Sequence, residues 1–263
     1  MITFSNIGRN GRMGNQMFQY AFLVGIATKN NYEFGVSYSN KSSDEYKHFC
    51  LPDCFDKLTA KDSSSYMCQH YILDPDWVFN SNFFNIPDST DFCGYFQSEK
   101  YFKHCKDKVK EEFTFNESIQ SESTKLISNL VDPISLHIRL GDYVMLQNHH
   151  PVCDNQYYEK ALNLLPKESS ICVFTDDVVL AQQIFKDQFA NRDVLYLNTG
   201  NKFVDMCIMS KCSYHVIANS SFSWWGAWLA DSKKTIAPEK WFGSASHIQG
   251  KHHDIYCDGW EII

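Results

Sequence analysis

Ile134-Ser135-Leu136-His137-Ile138-Arg139-Leu140-Gly141-Asp142-Tyr143 is the stretch on which the fold turns. Ile134 to Leu140 is short and rich enough in Ile and Leu to be a buried strand. Leu136, Ile138 and Leu140 alternate with His137 and Arg139, so the two polar side chains share one face. Downstream the same signal recurs at a regular interval. Tyr157 to Leu165 has helical spacing and stops at Pro166. Ile171 to Phe174 is a second buried strand, followed by a helical stretch from Val178 to Phe189. Val194 to Leu197 repeats the strand and Phe203 to Met209 the helix. Tyr214 to Ala218 is a strand, Ser223 to Leu229 a helix, and Thr235 to Ala237 a last short strand. Strands alternating with short helices predict parallel βαβ units, an α/β open sheet covered on both faces.

The first half is less regular. A strand from Ile2 to Ile7 leads into a glycine-punctuated loop and a helix from about Gln16 to Asn30. Ser39 to Ser65 is rich in Ser and Asp and predicts loops. Phe92 to Gln97 predicts a strand, and Lys100 to Phe113 an amphipathic helix. The polar segment from Asn116 to Pro133 places a boundary near residues 115–130, giving domains at 1–125 and 126–263 with a cleft between them.

Composition narrows the function classes. The 263 residues are 44% hydrophobic and 21% charged, an ordinary globular balance, with aromatics at 15%. The formal charge is −7, and no basic run exceeds Lys233-Lys234, so nucleic acid is not expected as a partner. The ten cysteines form no C-x-x-C and carry no histidine at zinc-finger spacing, which predicts reduced thiols in a cytosolic setting. Met1-Ile2-Thr3-Phe4 does not open a basic region followed by an apolar signal core. No apolar stretch approaches the ~20 residues of a membrane span. The expectation is a cytoplasmic protein, at most resting on the inner face of a membrane.

In open parallel sheets ligands bind outside the carboxyl ends of the strands, and four segments fall there. In the first, Arg139 suits a diphosphate through its planar fork, and equally suits a bridge to Asp142 around Gly141. The second is Gly11-Arg12-Met13-Gly14-Asn15-Gln16, where glycines permit close backbone approach and a helix N-terminus offers N–H groups to an anion. Its Gly8-x-x-Gly11-x-x-Gly14 spacing is neither G-x-G-x-x-G nor a P-loop, and an ordinary βα turn would account for it. The third is Asn219-Ser220-Ser221-Phe222-Ser223-Trp224-Trp225-Gly226-Ala227-Trp228. Asn219, Ser220, Ser221 and Ser223 supply N-cap oxygens or donors to phosphate, and capping needs one of them. In the fourth, Val173-Phe174-Thr175-Asp176-Asp177, a carboxylate accepts from a ribose hydroxyl or a guanine N–H, or else caps a helix. Together the four describe a nucleotide-diphosphate site.

H-x-R-x-G-D-Y and N-S-S-x-S-W-W-G-A-W, preceded by G-x-x-G-N-Q-x-F-Q-Y-A, resemble family-eleven glycosyltransferases, the α-1,2-fucosyltransferases. Gly94-Tyr95-Phe96-Gln97-Ser98-Glu99-Lys100-Tyr101-Phe102 and the Val173–Asp177 segment are similar as well. The matches keep the family's order from residue 8 to about 242. The resemblance implies a GT-B architecture of two facing Rossmann-like domains with largely parallel sheets. It implies transfer of L-fucose from GDP-β-L-fucose to the 2-hydroxyl of a galactose-containing glycan, with inversion and no required metal or other cofactor. Arg139 is then expected at the GDP phosphates, with Gly14, Asp176, Asn219, Ser220, Ser221 and Ser223 around the donor. His137 holds the strand end in shape beside them, and Asn15 reaches toward the fucosyl phosphate. Leu140 stands where relatives carry a second arginine. Asp142 is named as the base for the acceptor hydroxyl, or as the partner of Arg139.

Three rival readings stand beside this one. Asp74-Pro75-Asp76 is a D-x-D of the kind that holds Mn²⁺ with a sugar nucleotide. A nicotinamide oxidoreductase needs the glycine spacing this chain lacks. A non-catalytic sugar-binding module needs no arginine and serine-rich helix start aimed at a diphosphate.

Overall fold

The computed structural model describes residues 1–44, 48–74, 77–185, 189, 192–246, 250 and 252–263. The chain divides into two compact units. Unit 1 comprises Met1–Asn116 with Lys251–Cys257, and unit 2 comprises Glu117–Gly250 with Asp258–Ile263.

In unit 1, β1 (Ile2–Phe4), α1 (Met13–Asn30), β2 (Phe34–Val36), β3 (Lys61–Asp62), β4 (His70–Leu73), β5 (Thr90–Cys93) and α2 (Lys106–Glu112) follow in order. The sheet runs β3-β2-β1-β5-β4, every pair parallel. α1 is buried almost continuously from Met13 to Ala27, because it packs on the sheet and is covered again from outside. At Gly25 a Cβ would lie 2.1 Å from the Tyr101 carbonyl oxygen, so only glycine admits that covering segment. The core is aromatic. Phe22 stacks on Phe96 at 3.9 Å and meets Phe83, Phe92 and Tyr101 edge-on. The returning 251–257 segment is anchored by Asp254, which accepts from the Phe79 N–H at 3.0 Å and pairs with Lys100.

Unit 2 contains α3 (Glu117–Ile127), β6 (Ile134–Ile138), α4 (Asn155–Asn163), β7 (Ile171–Thr175), α5 (Val178–Phe185), β8 (Val194–Leu197), α6 (Lys202–Met209), β9 (Tyr214–Val216), α7 (Ser221–Leu229), β10 (Lys234–Ala237) and β11 (Glu261–Ile262). Its order is β11-β10-β9-β6-β7-β8, again all parallel. One face of β6 presents Ile134, Leu136 and Ile138 to a core shared with Tyr158 and Ala161 of α4 and Ala181 and Phe185 of α5. The other face turns His137 toward α7.

From β6 to β10 the strands and helices of unit 2 lie where the sequence expects them, with ends shifted by one or two residues, whereas α3 and β11 are not expected from it. Part of the helix expected over Val178–Phe189 lies outside the described residues. Unit 1 differs more. α1 begins at Met13 rather than Gln16, and the strand expected over Phe92–Gln97 is β5 at Thr90–Cys93. The helix expected over Lys100–Phe113 is broken into 3₁₀ turns at Glu99–Tyr101 and Lys103–Cys105 before α2. The boundary expected at residue 125 falls inside α3, which packs on α6. That helix buries only Ile119 and Ser123, too little apolar surface to announce itself. All ten cysteines are free thiols. No helix among the described residues is long and apolar enough to cross a membrane.

His215, on β9, has no exposed surface; its Nε2 lies 2.8 Å from the Met209 carbonyl oxygen and its Nδ1 2.9 Å from Ser232 Oγ. Burial pushes it from 6.5 down to about 4. Above pH 6.5 both folded and unfolded chains hold it neutral. As pH falls toward 4 the unfolded chain takes up a proton the folded chain refuses, and stability is lost across that window. His215→Asn is therefore expected to flatten the fall of the unfolding free energy between pH 6.5 and 4.5, by on the order of 1–3 kcal/mol relative to wild type, as read from denaturant unfolding at each pH. Parallel slopes for the two proteins would refute this.

Candidate active site

The unit 2 sheet reverses its order of connection once, and in parallel sheets the loops at such a point part to opposite faces and leave the strand ends open. That reversal lies between β6 and β9, and in unit 1 the middle strand β1 lies between β2 and β5. The residues expected to carry chemistry gather at these two places, one set in each unit.

After β6 the chain turns sharply through Leu140 into a 3₁₀ turn at Gly141–Val144. Arg139 Nη1 lies 2.7 Å from Asp176 Oδ2, and Nη2 pairs with Asp142. The other oxygen of Asp176 accepts the Leu140 N–H at 2.9 Å. Gly141, at φ +25, makes this closure possible, since a Cβ there would sit 2.3 Å from Asp176 Oδ2. The Arg139 guanidinium also lies 5.2 Å from the centre of the Tyr143 ring. Both readings of Asp142 therefore meet at one contact: it does pair with Arg139. Asp176 is the second arm of that clamp, while Asp177 caps α5 by accepting the Leu180 N–H at 2.9 Å. Leu140 is 1% exposed and joins the core beside Ile138.

His137 is buried, with Nδ1 2.9 Å from Ser223 Oγ, and burial together with the nearby Arg139 charge pushes it down to about 3. It is a neutral imidazole at physiological pH. Ser223 is committed to it and to the Ala218 and Ser220 carbonyls. The donor role expected of Asn219 is likewise closed to its side chain. Both hydrogens of Nδ2 are spent, at 3.0 Å each, on the Pro151 and Trp241 carbonyl oxygens. These two residues brace the loop instead of facing a ligand, because buried polar atoms take internal partners in place of water. Ser220 caps α7 through the Phe222 N–H, and half-buried Ser221 is the first residue of that helix. Trp224, Trp225 and Trp228 are all core.

Tyr143 is a site residue to which sequence reasoning gave no role. Its ring lies beside the guanidinium, its hydroxyl donates to the Asn219 carbonyl at 3.2 Å, and His150 stacks on it at 4.9 Å. Burial pushes its phenol up to about 12. It ties the loop after β6 to the loop after β9. The only signal was its place in the H-x-R-x-G-D-Y string.

In unit 1 the loop after β1 leads into α1, and the earlier start of that helix puts Gly14 and Asn15 in its first turn. Gln16 bridges to the His48 carbonyl and the Cys50 N–H, both at 2.9 Å, and Gln19 bridges Asn10 to Gly94. Both glutamines hold loops. Gly11, at φ +101, leaves room for the Asn15 amide, whose Nδ2 would stand 2.1 Å from a Cβ there. Of the Asp74-Pro75-Asp76 string, Pro75 and Asp76 lie outside the described residues.

The chain is similar to α-1,2-colitosyltransferase from Escherichia coli, at 30% identity over 88% of this chain and 90% of that one. It is similar to galactoside α-(1,2)-fucosyltransferase 2 from Rattus norvegicus, at 26% identity over 88% and 67%. Among solved structures it resembles the fucosyltransferase NodZ from Bradyrhizobium, with a TM-score of 0.56 at 15% identity over 87% of this chain and 93% of that one. That likeness places the two parallel α/β units in the GT-B fold class. The model of glycosyl transferase family 11 matches residues 2–263, which takes in both sheets and every segment described above, and the chain belongs to that family of glycosyltransferases.

Proposed function

We propose that this enzyme transfers L-fucose from GDP-β-L-fucose to the 2-hydroxyl of a galactoside, with inversion and without a required metal. The reading rests on one observation above all: Arg139 is held at the reversal of the unit 2 sheet by Asp142, Asp176 and the Tyr143 ring. Two carboxylates around one guanidinium leave the cluster net negative, so an incoming diphosphate has to displace one of them, and the more exposed arm is the one it reaches first. Asp142 is 42% exposed and Asp176 26%, and Asp176 is further tied to the Leu140 N–H. The diphosphate takes the place of Asp142 on Nη2, and Arg139 stays aimed by Asp176.

The acceptor oxygen then bonds to the anomeric carbon while the bond from that carbon to the phosphate oxygen breaks. The electron pair leaves on GDP, where Arg139 and the start of α7 at Ser220–Ser221 meet the developing charge. The acceptor's proton passes to a carboxylate, for which Asp142, released from the arginine, is the candidate. Neutral His137 adds no competing charge and keeps the end of β6 in register with α7. Asn15 donates toward the sugar end of the nucleotide. The donor is the point on which a second reading differs: the Escherichia coli relative is named for colitose, and that sugar in place of fucose leaves the roles above unchanged.

Incubation with GDP-fucose, GDP-colitose and other sugar nucleotides over a panel of β-galactosides, with the product linkage read by NMR, tests the assignment. An α-1,2-fucosylated galactoside is expected, and a different linkage or sugar overturns it.

Arg139→Lys is expected to fold normally and lose turnover by ~10²-fold or more, because one ammonium cannot reproduce a bidentate fork. Near-normal turnover in the folded variant would remove Arg139 from the diphosphate. Full activity is expected in excess EDTA. Activity abolished by the chelator and restored by Mn²⁺ would instead assign the phosphates to Asp74 and Asp76.

A further inference from the structure

Gln97 is 5% exposed and stands four residues beyond the end of β5, the strand paired with β1. The backbone reaches it through an unusual path. Gly94 has φ +155, and Phe96, a residue with a Cβ, has φ +50. A left-handed conformation is costly for a side-chain-bearing residue and persists only where its surroundings impose it. Here the core does so, because the Phe96 ring is stacked on Phe22 and meets Phe4, Phe83 and Tyr101 edge-on. The turn that results carries Gln97 to the glycine loop. There its Nε2 donates to Asn15 Oδ1 at 2.7 Å, across 82 residues of sequence.

A primary amide has one acceptor end and one donor end. With the Asn15 oxygen occupied by Gln97, its NH₂ group is turned to the space left by the missing Gly11 side chain. Among the described residues that NH₂ group donates to nothing, and Asn15 is half-buried. The opposite orientation would present an oxygen at the same place, which repels an anion.

We infer that Gln97 is a positioning residue for the transfer reaction: it decides which way round the Asn15 amide sits, so that donors rather than an acceptor face the sugar end of the nucleotide. This rests on the role given to Asn15 in the proposed function. Gln97 itself touches no substrate.

The decisive variant is Gln97→Glu, nearly the same size and shape. An ionised carboxylate cannot donate, accepts instead from the Asn15 NH₂, and so reverses the amide. Steady-state rates with GDP-fucose and calorimetry with GDP are measured on one preparation, with thermal unfolding as the check on folding. The expected result is a fall in kcat of ~10²-fold, the scale for losing one fixed donor to developing charge, with GDP affinity unchanged. In the Asn15→Ala background the same substitution is expected to cost nothing further, because two residues acting through one contact are not additive. Asn15→Asp is the second variant. It still accepts from Gln97 but shows an oxygen outward, and it is expected to match Gln97→Glu in kcat without depending on how well that variant folds.

Near-normal turnover in folded Gln97→Glu, or in Asn15→Asp, overturns the positioning role. Equal additional losses in the Asn15→Ala background would mean that Gln97 acts by some other route. Wild-type turnover in Asn15→Ala alone would remove Asn15 from the reaction, and with it the reading on which the inference rests.

Discussion

β6 is hydrogen-bonded in parallel to β7 on one side and to β9 on the other, and the functional end of unit 2 follows from that double pairing. Parallel neighbours cannot be joined by a hairpin, so every connection must cross a face of the sheet. The chain from β6 to β7 crosses through α4, on the face lined by Ile134, Leu136 and Ile138. The chain from β8 to β9 crosses through α6, which packs between α3 and α7. The loops after β6 and β9 therefore begin side by side and part. Tyr143 links them again through the Asn219 carbonyl, and Asn219 in turn holds the Pro151 and Trp241 carbonyls. In unit 1 the middle strand β1 is likewise paired in parallel on both sides, with β2 and β5.

The electrostatics at the end of β6 are those of a cation kept in place by more negative charge than it carries. Arg139 is 17% exposed, with two carboxylates on its fork and a phenol ring beside it. A guanidinium so placed would be costly without partners. Its two carboxylates differ in exposure, with Asp142 the more open of the two. His137, two residues earlier, stays neutral because it is fully buried and beside that same cation. Leu140 sends its side chain back into the core, so the charge at this strand end is concentrated on one arginine.

In unit 1 the aromatic core does more than fill space. Phe96 is one of its most enclosed rings, and the conformation that encloses it sets the path of the next residue. The packing of Phe22 against Phe96 and the hydrogen bond from Gln97 to Asn15 are thus two consequences of one turn. Gln16 and Gln19 serve the same end by donating to the Gly11 and Asn10 carbonyls of the loop.

Unit 2 was legible in the sequence because its central strands are covered on both faces. A strand such as Ile171–Thr175, buried at every position, is written as an unbroken apolar run and admits no other reading. The string from His137 to Tyr143 and the serine-rich start of α7 were legible too, since they sit where such strands end. Short strands such as β3 and β4 in unit 1 were not, because most of their residues are exposed and leave no periodic signal. α3 was missed for the same reason. The roles of individual polar residues were decided only by tertiary structure. Asn219 and Ser223 look like donors in a serine-rich segment, yet Asn219 Nδ2 is spent on carbonyls 22 and 68 residues away and Ser223 is tied to His137, 86 residues away. The division of labour between Asp176 and Asp177 depends on which of the two reaches Arg139. The orientation of the Asn15 amide depends on Gln97. Sequence alone determines which residue types stand at the strand ends, because burial writes itself in periodicity. Which of them remain available to a ligand is settled by hydrogen bonds between distant segments, and no local pattern encodes those.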